Sequence, residues 1–480
     1  MSAQEPKLYG GWRRSRTMGI GHLNTGQTAV VVVSLIVPIL LLNIAGMGTL
    51  PVTIPVALVV MVLTVWQRHG TPLLSFLGAR LRWQWANWRG ETSYRGQFLV
   101  SPQALDLPGI VAPTKLLRVA DATGDAPVGL VWNQRDGRMS ATVLLSPAGA
   151  LLAPSDAQNG SAAAWGEALA RLADEETLMG ASVTIQVRPS SGQALADHVK
   201  ERTDPSAPAA ARQAVRELVA RAPRASAQLA AWFTLTVDPY RSSAHKPRNP
   251  AEAAAETLRV LDGVDLSGAG ADIVRRATDA DLMRLVRGAF SPADMDAPQE
   301  QVAAMTWNET GPVAAEDAWT VYQHDGSYSV SWVLREAPRK PVPYDVLLKL
   351  LAPGTFARRV TLAYRVLPTD EAAAVVEREV NASDARAEYR RRTQRSTTRR
   401  ERVDAAHAER SATEEALGAG LVQWSVYVTT TVGDKDDLPA AIREVEKAAK
   451  LSGGLRFRYA YGGQAAAFAV GLPVGVNPLA

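Results

Sequence analysis

The chain has 480 residues, of which 47% are hydrophobic and 21% charged, a composition typical of a folded protein with room for several domains. It contains no cysteine, which excludes disulfides, thiolate metal sites, iron–sulfur clusters and a cysteine nucleophile. The net charge of +4 is too small to require a nucleic-acid partner.

Two apolar segments lie near the start of the chain. They are TAVVVVSLIVPILLLNI, from Thr28 to Ile44, and LPVTIPVALVVMVLTVW, from Leu50 to Trp66, and the uncharged AGMGT separates them. A helix of about 17 residues rises roughly 26 Å, close to the thickness of the hydrocarbon core of a bilayer. The pattern predicts a transmembrane hairpin. A cleavable signal peptide and a buried helical hairpin of a soluble core remain as alternatives.

Basic residues flank both ends of this hairpin, whereas the turn carries no charge. Because basic flanks stay inside, both termini are expected on the cytoplasmic face of the cell (inner) membrane. Residues 67–90 place leucines and tryptophans at helical spacing, which predicts an interfacial amphipathic helix. A helix packed on a soluble domain is the alternative. The predicted membrane-interface residues are Trp12, Arg13, Arg14, Trp66, Arg80, Arg82, Trp83, Trp85 and Trp88.

Residues 1–95 resemble the PrgI family of small membrane proteins from type IV secretion systems. The resemblance is carried by Tyr9, Gly10 and Gly11, by the tight two-helix hairpin, and by the HGTPLLSFLGARLRW run that follows it. It implies a multi-pass membrane anchor that accompanies a large secretion ATPase.

The rest of the chain predicts an α+β fold, with α/β-sandwich cytoplasmic domains built from split β-α-β modules and one long arm helix. Residues 96–125 are a Pro- and Gly-bearing connector. The first α+β module covers residues 126–240, a helical and irregular insert covers 241–326, and the second module covers 327–480. Within the second module, residues 369–417 have no proline or glycine and predict the long arm helix.

Some elements have clear local signals. VGLVWN and MSATVLLSP flank Asp136-Gly137, which predicts a β-hairpin. A helix is predicted to end at Gly180, before the strand ASVTIQVRP. Residues 272–292 are predicted to form a helix with a capped restart near Asp279 and Asp281, and residues 291–326 to be mostly irregular.

The C-terminal run YAYGGQAAAFAVGLPVG resembles the end of the N-terminal domain of VirB-type secretion ATPases. The matching positions are Tyr461, Gly462, Gly463, Gln464, Phe468, Leu472, Pro473 and Gly475. With the PrgI-like start, the chain resembles a membrane-protein family encoded with actinobacterial conjugation ATPases. The resemblance implies a non-catalytic subunit that docks a separate secretion ATPase within a multimeric membrane complex. EccE of type VII secretion shares the layout of two membrane helices and a cytoplasmic domain, and is the alternative.

Motifs that carry chemistry are missing from the sequence. There is no GxxxxGK[ST] phosphate loop, no HExxH, and no G-x-S-x-G nucleophile elbow. The six histidines lack metal-ligand spacing, and Asp434, Asp436 and Asp437 precede a helix that they are expected to cap. No catalytic, cofactor or metal site is therefore predicted. A membrane-tethered enzyme is the remaining alternative class.

The predicted arm helix contains a dense run of arginines, EYRRRTQRSTTRRER. Such a run can contact DNA phosphates or anionic lipid. The alternative is a solvated helix in which neighbouring glutamates pair with the arginines. The candidate partner contacts, including a weak DNA contact, are Arg390, Arg391, Arg392, Arg395, Arg399 and Arg400.

Overall fold

The computed structural model describes residues 9, 25–68, 71–96, 107–121, 124, 126–149, 154–189, 199–204, 206–221, 227–242, 246–296, 301–302, 304–338, 341–368, 371–372, 374–375, 377 and 422–479. The chain divides into two compact units. One unit comprises residues 11–92 and 370–419, and we call it the helical unit after the helices among its described residues; an α+β unit comprises residues 1–10, 93–369 and 420–480.

The helical unit begins with two apolar helices, α1 (Thr25–Ala45) and α2 (Leu50–Val65). Gly46 ends α1 at φ +77°, a conformation that glycine adopts without strain, and its N–H donates to the Leu42 carbonyl oxygen at 3.1 Å. Pro51 lies in the first turn of α2, where its missing N–H leaves no helical hydrogen bond unmade. Two short strands, β1 (Gln67–Arg68) and β2 (Thr71–Pro72), then lead into α3 (Leu73–Trp88).

The α+β unit contains the remaining described strands and helices. The strands are β3 (Ser93–Arg95), β4 (Thr114–Val119), β5 (Val128–Asn133), β6 (Met139–Pro147), β7 (Leu178–Pro189), β8 (Ala227–Val237), β9 (Ala271–Arg276), β10 (Ala314–Asp317), β11 (Tyr322–His324), β12 (Ser327–Glu336), β13 (Ala357–Val366), β14 (Val422–Val432) and β15 (Arg456–Tyr459). The helices are α4 (Ser155–Ala173), α5 (Ala209–Arg221), α6 (Pro250–Asp262), α7 (Asp279–Phe290), α8 (Leu348–Leu351), α9 (Leu438–Leu451) and α10 (Gln464–Val470).

Strands β3 to β15 form one 13-stranded antiparallel sheet, so the described chain has a mixed α+β fold. The strand order is β3-β10-β11-β12-β14-β13-β7-β8-β6-β5-β4, with β15 paired to β12 and β9 paired to β6. The two stretches predicted as separate modules meet at the β7–β13 pair, so they contribute to the same sheet.

The order of elements in this unit occurs twice. Apart from α5, which lies between β7 and β8 and has no counterpart among the described residues, the first half runs β4, β5, β6, α4, β7, β8, α6, β9, α7, and the second half runs β10, β11, β12, α8, β13, β14, α9, β15, α10. The pairings repeat too, because β8 lies between β6 and β7 just as β14 lies between β12 and β13. The strands β9 and β15 pair with the corresponding strands β6 and β12.

The sequence repeats along with the structure. QRDGRMSAT, from Gln134, aligns with QHDGSYSVS, from Gln323, with four of nine residues identical, and VTIQVR, from Val183, aligns with VTLAYR, from Val360, with three of six identical. The matched residues Thr184 and Thr361 pair with each other in the β7–β13 ladder, and their hydroxyls are 2.9 Å apart. The α+β unit is therefore an internal duplication, with an approximate two-fold axis at this threonine pair.

The two faces of the sheet differ because alternate side chains point to opposite sides. One face is apolar and packs beneath α4, α6, α8 and α9. The other face is polar yet buried, and we call it the hydroxyl face. It consists of Ser140, Thr142, Ser182, Thr184, Gln186, Thr234, Thr236, Ser329, Ser331, Arg359, Thr361, Thr429 and Thr431.

Two local predictions are wrong. Gly180 does not end a helix; it lies within β7, and α4 ends earlier, at Ala173. Residues 272–292 are not helical throughout, because 271–276 form β9; the helix α7 begins at the predicted restart, where the Thr278 side chain forms a reciprocal capping box with Asp281. Residues 291–326, predicted to be mostly irregular, contain the two short strands β10 and β11. The predicted arm helix, residues 369–417, falls almost wholly outside the described residues.

Candidate functional site

The apolar side chains of α1 and α2 are exposed. Leu35 and Ile39 are 56% and 60% exposed on α1, and Val52 and Leu58 are 67% and 56% exposed on α2. Neither helix contains an acidic or basic residue. Exposed apolar surface on this scale is rare on soluble monomers and marks a contact with a membrane or another protein.

One helix is long and apolar enough to cross a membrane, judged by length and composition among the described residues. It spans Gly26–Ile44, with a mean hydropathy of 2.3, and every side chain in that stretch except Ser34 is at least partly exposed. The second apolar helix is shorter, at Pro51–Val65. A single possible N-terminal membrane-spanning helix is therefore what the structure itself shows.

Helix α3 presents aromatic and basic side chains together. Trp66 before it, and Trp85 and Trp88 on it, are 64%, 52% and 83% exposed. The Arg80 guanidinium lies 4.7 Å from the Trp83 ring centre, and that of Arg89 lies 3.8 Å from the Trp85 ring centre. Such cation–π pairs keep guanidinium groups beside the indole rings.

Several predicted site residues cannot be placed. Trp12, Arg13 and Arg14 lie outside the described residues, and so does every arginine of the predicted partner-contact run, from Arg390 to Arg400. Of the predicted interface set, the structure places Arg80, Arg82, Trp83, Trp85 and Trp88 on the single helix α3.

The C-terminal family motif lies in the core. Gln464, the first residue of α10, is fully buried, and its side chain bonds both backbone groups of Ser331: it accepts from the N–H at 2.7 Å and donates to the carbonyl oxygen at 3.3 Å. Phe468, also on α10, packs among Phe290, Tyr322 and His324. Leu472 and Pro473 are buried after it, whereas Tyr461, Gly462 and Gly463 are partly buried before it.

After α10, the motif continues to Gly475, which lies against the hydroxyl face in the first half of the sheet. Gly475 has φ +71°, and a β-carbon there would overlap the Ser140 and Thr236 hydroxyls. Its carbonyl oxygen accepts a hydrogen bond from Thr236 Oγ1 at 3.1 Å. The residues that carry the family resemblance thus hold the two halves of the sheet together and leave little of the motif exposed to a partner.

Two titratable groups beneath the motif are shifted by burial. Burial raises the pKa of Asp317 to about 6, although its carboxylate accepts backbone hydrogen bonds from Ala465 and Gln464. Burial lowers the pKa of His324 to about 3, so this histidine stays neutral at physiological pH. Its Nε2 lies 2.8 Å from Ser329 Oγ.

The Asp317 shift predicts a pH dependence of stability. In the unfolded chain this carboxyl titrates near 3.8, so from about pH 4 to 6 the folded state binds more protons and stability falls as the pH rises. A difference of two pKa units corresponds to about 2.7 kcal/mol. We expect Asp317→Asn, which retains a carbonyl acceptor for Ala465, to raise the melting temperature at pH 7.5. The variant should also reduce the fall of the melting temperature with pH between pH 4 and 6.

Thermal melts of both proteins across pH 4–8 check this expectation. Asp436→Asn, which alters an exposed carboxylate in the same unit, serves as the control and should leave the slope unchanged. An Asp317→Asn protein with an unaltered slope would contradict the account.

The described residues hold no group of three or more side chains suited to binding a metal ion. The sequence did not predict the burial of Arg359, Gln186 and Asp317 in the sheet. In RRVTLAYRV of β13, Arg359, Thr361 and Ala363 share one face, and that face is buried.

No family model matches the chain, and no curated protein matches it significantly. Its function is therefore inferred from its own residues.

Proposed function

We propose that this chain is a non-catalytic, membrane-anchored structural subunit of a conjugation-type (type IV) secretion apparatus, which docks a separate secretion ATPase at the cytoplasmic face of the membrane. The observation that carries the proposal is the exposure of the uncharged helices α1 and α2. Contact with lipid removes the unfavourable free energy of exposing these apolar side chains to water.

Both apolar helices cross the membrane in the proposed arrangement. The 16 residues of α2 rise roughly 24 Å, so this helix needs local thinning of the bilayer, a cost of fractions of a kcal/mol per Å. Helix α3 then lies at the headgroup level, where exposed tryptophans and arginines favour the interface.

The basic flanks orient the hairpin. Arg68, Arg80 and Arg82 follow α2, whereas the turn between α1 and α2 has no charge. The positive-inside rule then puts the turn outside and both termini in the cytoplasm.

The ATPase-docking role rests on the resemblance of the chain ends to the PrgI-like anchor and to the VirB-type N-terminal domain. The duplicated α+β unit is compatible with it, because a rigid sheet buried on both faces suits a scaffold. The arginine run from Arg390 to Arg400 remains a candidate contact for DNA or anionic lipid.

Single-cysteine labelling tests the topology, since the chain has no native cysteine to interfere. Met47, in the turn between α1 and α2, is 77% exposed, and Leu451, at the end of α9, is 61% exposed. We expect a membrane-impermeant maleimide to label Met47→Cys in intact cells, and Leu451→Cys only after lysis. Labelling of Leu451→Cys in intact cells, or protection of Met47→Cys there, would overturn the proposed orientation.

A further inference from the structure

A small cavity lies at the centre of the hydroxyl face, in the second half of the sheet. Its volume is about 10 Å³, which accommodates about one water-sized species. The lining residues come from β7, β13 and β14 and from the end of α7. They include Gln186, Arg358, Arg359, Thr429, Thr431 and Pro292.

The cavity is rich in hydrogen-bond donors. Arg359 is 4% exposed, and its Nε and Nη2 have no hydrogen-bond partner among the described residues. The side chain of Arg358, the preceding residue of β13, lies on the opposite face, where its Nη2 donates to the Ala352 carbonyl oxygen at 2.7 Å. The Phe468 ring, 4.4 Å from the Arg359 guanidinium, offsets only part of the charge. A buried charge without an ionic partner is strongly unfavourable, and burial lowers the pKa of Arg359 to about 9.

The duplication shows what occupies the related position in the first half. By strand register, Thr236 corresponds to Thr431, and Ser182 corresponds to Arg359. There, the carbonyl oxygen of Gly475 accepts from the Thr236 hydroxyl at 3.1 Å. The first half thus has a backbone acceptor at this place, whereas the second half has the Arg359 guanidinium and a cavity.

We propose that this cavity binds a single small inorganic anion of the size and charge of chloride. Guanidinium N–H groups and threonine hydroxyls are suitable donors to a halide. The side-chain oxygen of Gln186, which lines the cavity, also has no partner among the described residues. Because the oxygen and nitrogen of a side-chain amide can be interchanged by a flip, the NH₂ group of Gln186 can take this position and donate to the anion. The anion would neutralise the buried Arg359 and fix α7 against β13 and β14.

The test uses the full chain in detergent, with chloride as the probe. Thermal melts in sodium chloride are compared with melts in sodium gluconate at the same ionic strength, because gluconate is too large for the cavity. We expect chloride well above its dissociation constant to raise the melting temperature by about 2–4 °C. Arg359→Met should lose this response, whereas Ser182→Ala, at the two-fold-related position, should retain it.

Crystals soaked in bromide give a second measurement that does not depend on a variant folding. An anomalous peak within hydrogen-bonding distance of the Arg359 Nε supports the proposal. The proposal would be overturned if the melting temperature were the same in both salts, or if Arg359→Met responded to chloride as the wild-type chain does. It would also be overturned if the cavity held a water molecule and gave no anomalous peak after the bromide soak.

Discussion

Aspartates at the centres of the two apolar helices are expected to release the chain from the membrane. Leu35 on α1 and Leu58 on α2 lie mid-helix and are each 56% exposed. An aspartate at the centre of a membrane helix costs about 2.5–3.5 kcal/mol on insertion scales. The double variant Leu35→Asp/Leu58→Asp therefore carries a penalty of about 5–7 kcal/mol, which lowers membrane partitioning by about four orders of magnitude.

Carbonate extraction followed by ultracentrifugation measures the effect. The wild-type chain should stay in the pellet, and the double variant should move to the supernatant. The matched control, Leu35→Met/Leu58→Met, keeps both helices apolar and should stay in the pellet. Retention of the aspartate variant would show that these helices are held by protein contacts instead of lipid.

Truncation of Phe468 is expected to cause the largest loss of stability of any single substitution in the C-terminal motif. Its side chain is 1% exposed and contacts Phe290, Tyr322 and His324, with ring centres 4.9–5.3 Å apart. Because Phe→Ala in a packed core removes burial and leaves a cavity, Phe468→Ala should cost about 3–5 kcal/mol. The expected drop in melting temperature is on the order of 10 °C.

A thermal melt of the full chain in detergent checks this prediction. Leu451→Ala, at a position 61% exposed on α9, should change the melting temperature little. If Phe468→Ala melted like the wild-type chain but lost its partners, the motif would be a docking surface instead of a packing element.

Elements with strong local signals could be predicted from the sequence. The hairpin around Asp136-Gly137 has a turn dipeptide between two β-rich runs, and the structure has β5 and β6 there. The apolar helices were predicted to within a few residues because their hydrophobicity is uninterrupted.

Elements that depend on distant pairing could not be predicted in this way. ADIVRR looks helical beside the following amphipathic run, but it forms β9 because its partner β6 is available more than a hundred residues earlier. The capped restart near Asp279 and Asp281 was predicted, and the structure has the Thr278–Asp281 capping box there; the strand that precedes it was not predicted.

The duplication also escaped the sequence reasoning, although its signal was present. The matched runs from Gln134 and Gln323 are nine residues long and lie 189 positions apart, too short to stand out without the strand order. The buried arginines were missed for a related reason. An Arg-x-Thr alternation normally faces solvent, and only the helices α7 and α10 packed over that face bury it here.

We propose that this chain docks a secretion ATPase at the membrane. The most direct measurement is affinity purification of the full chain from cross-linked, detergent-solubilised membranes, with the co-purifying proteins identified by mass spectrometry. The account predicts that a VirB-type ATPase is enriched with the wild-type chain and depleted with Leu35→Asp/Leu58→Asp. Enrichment of type VII components with small WXG-type proteins, or of no ATPase at all, would contradict it.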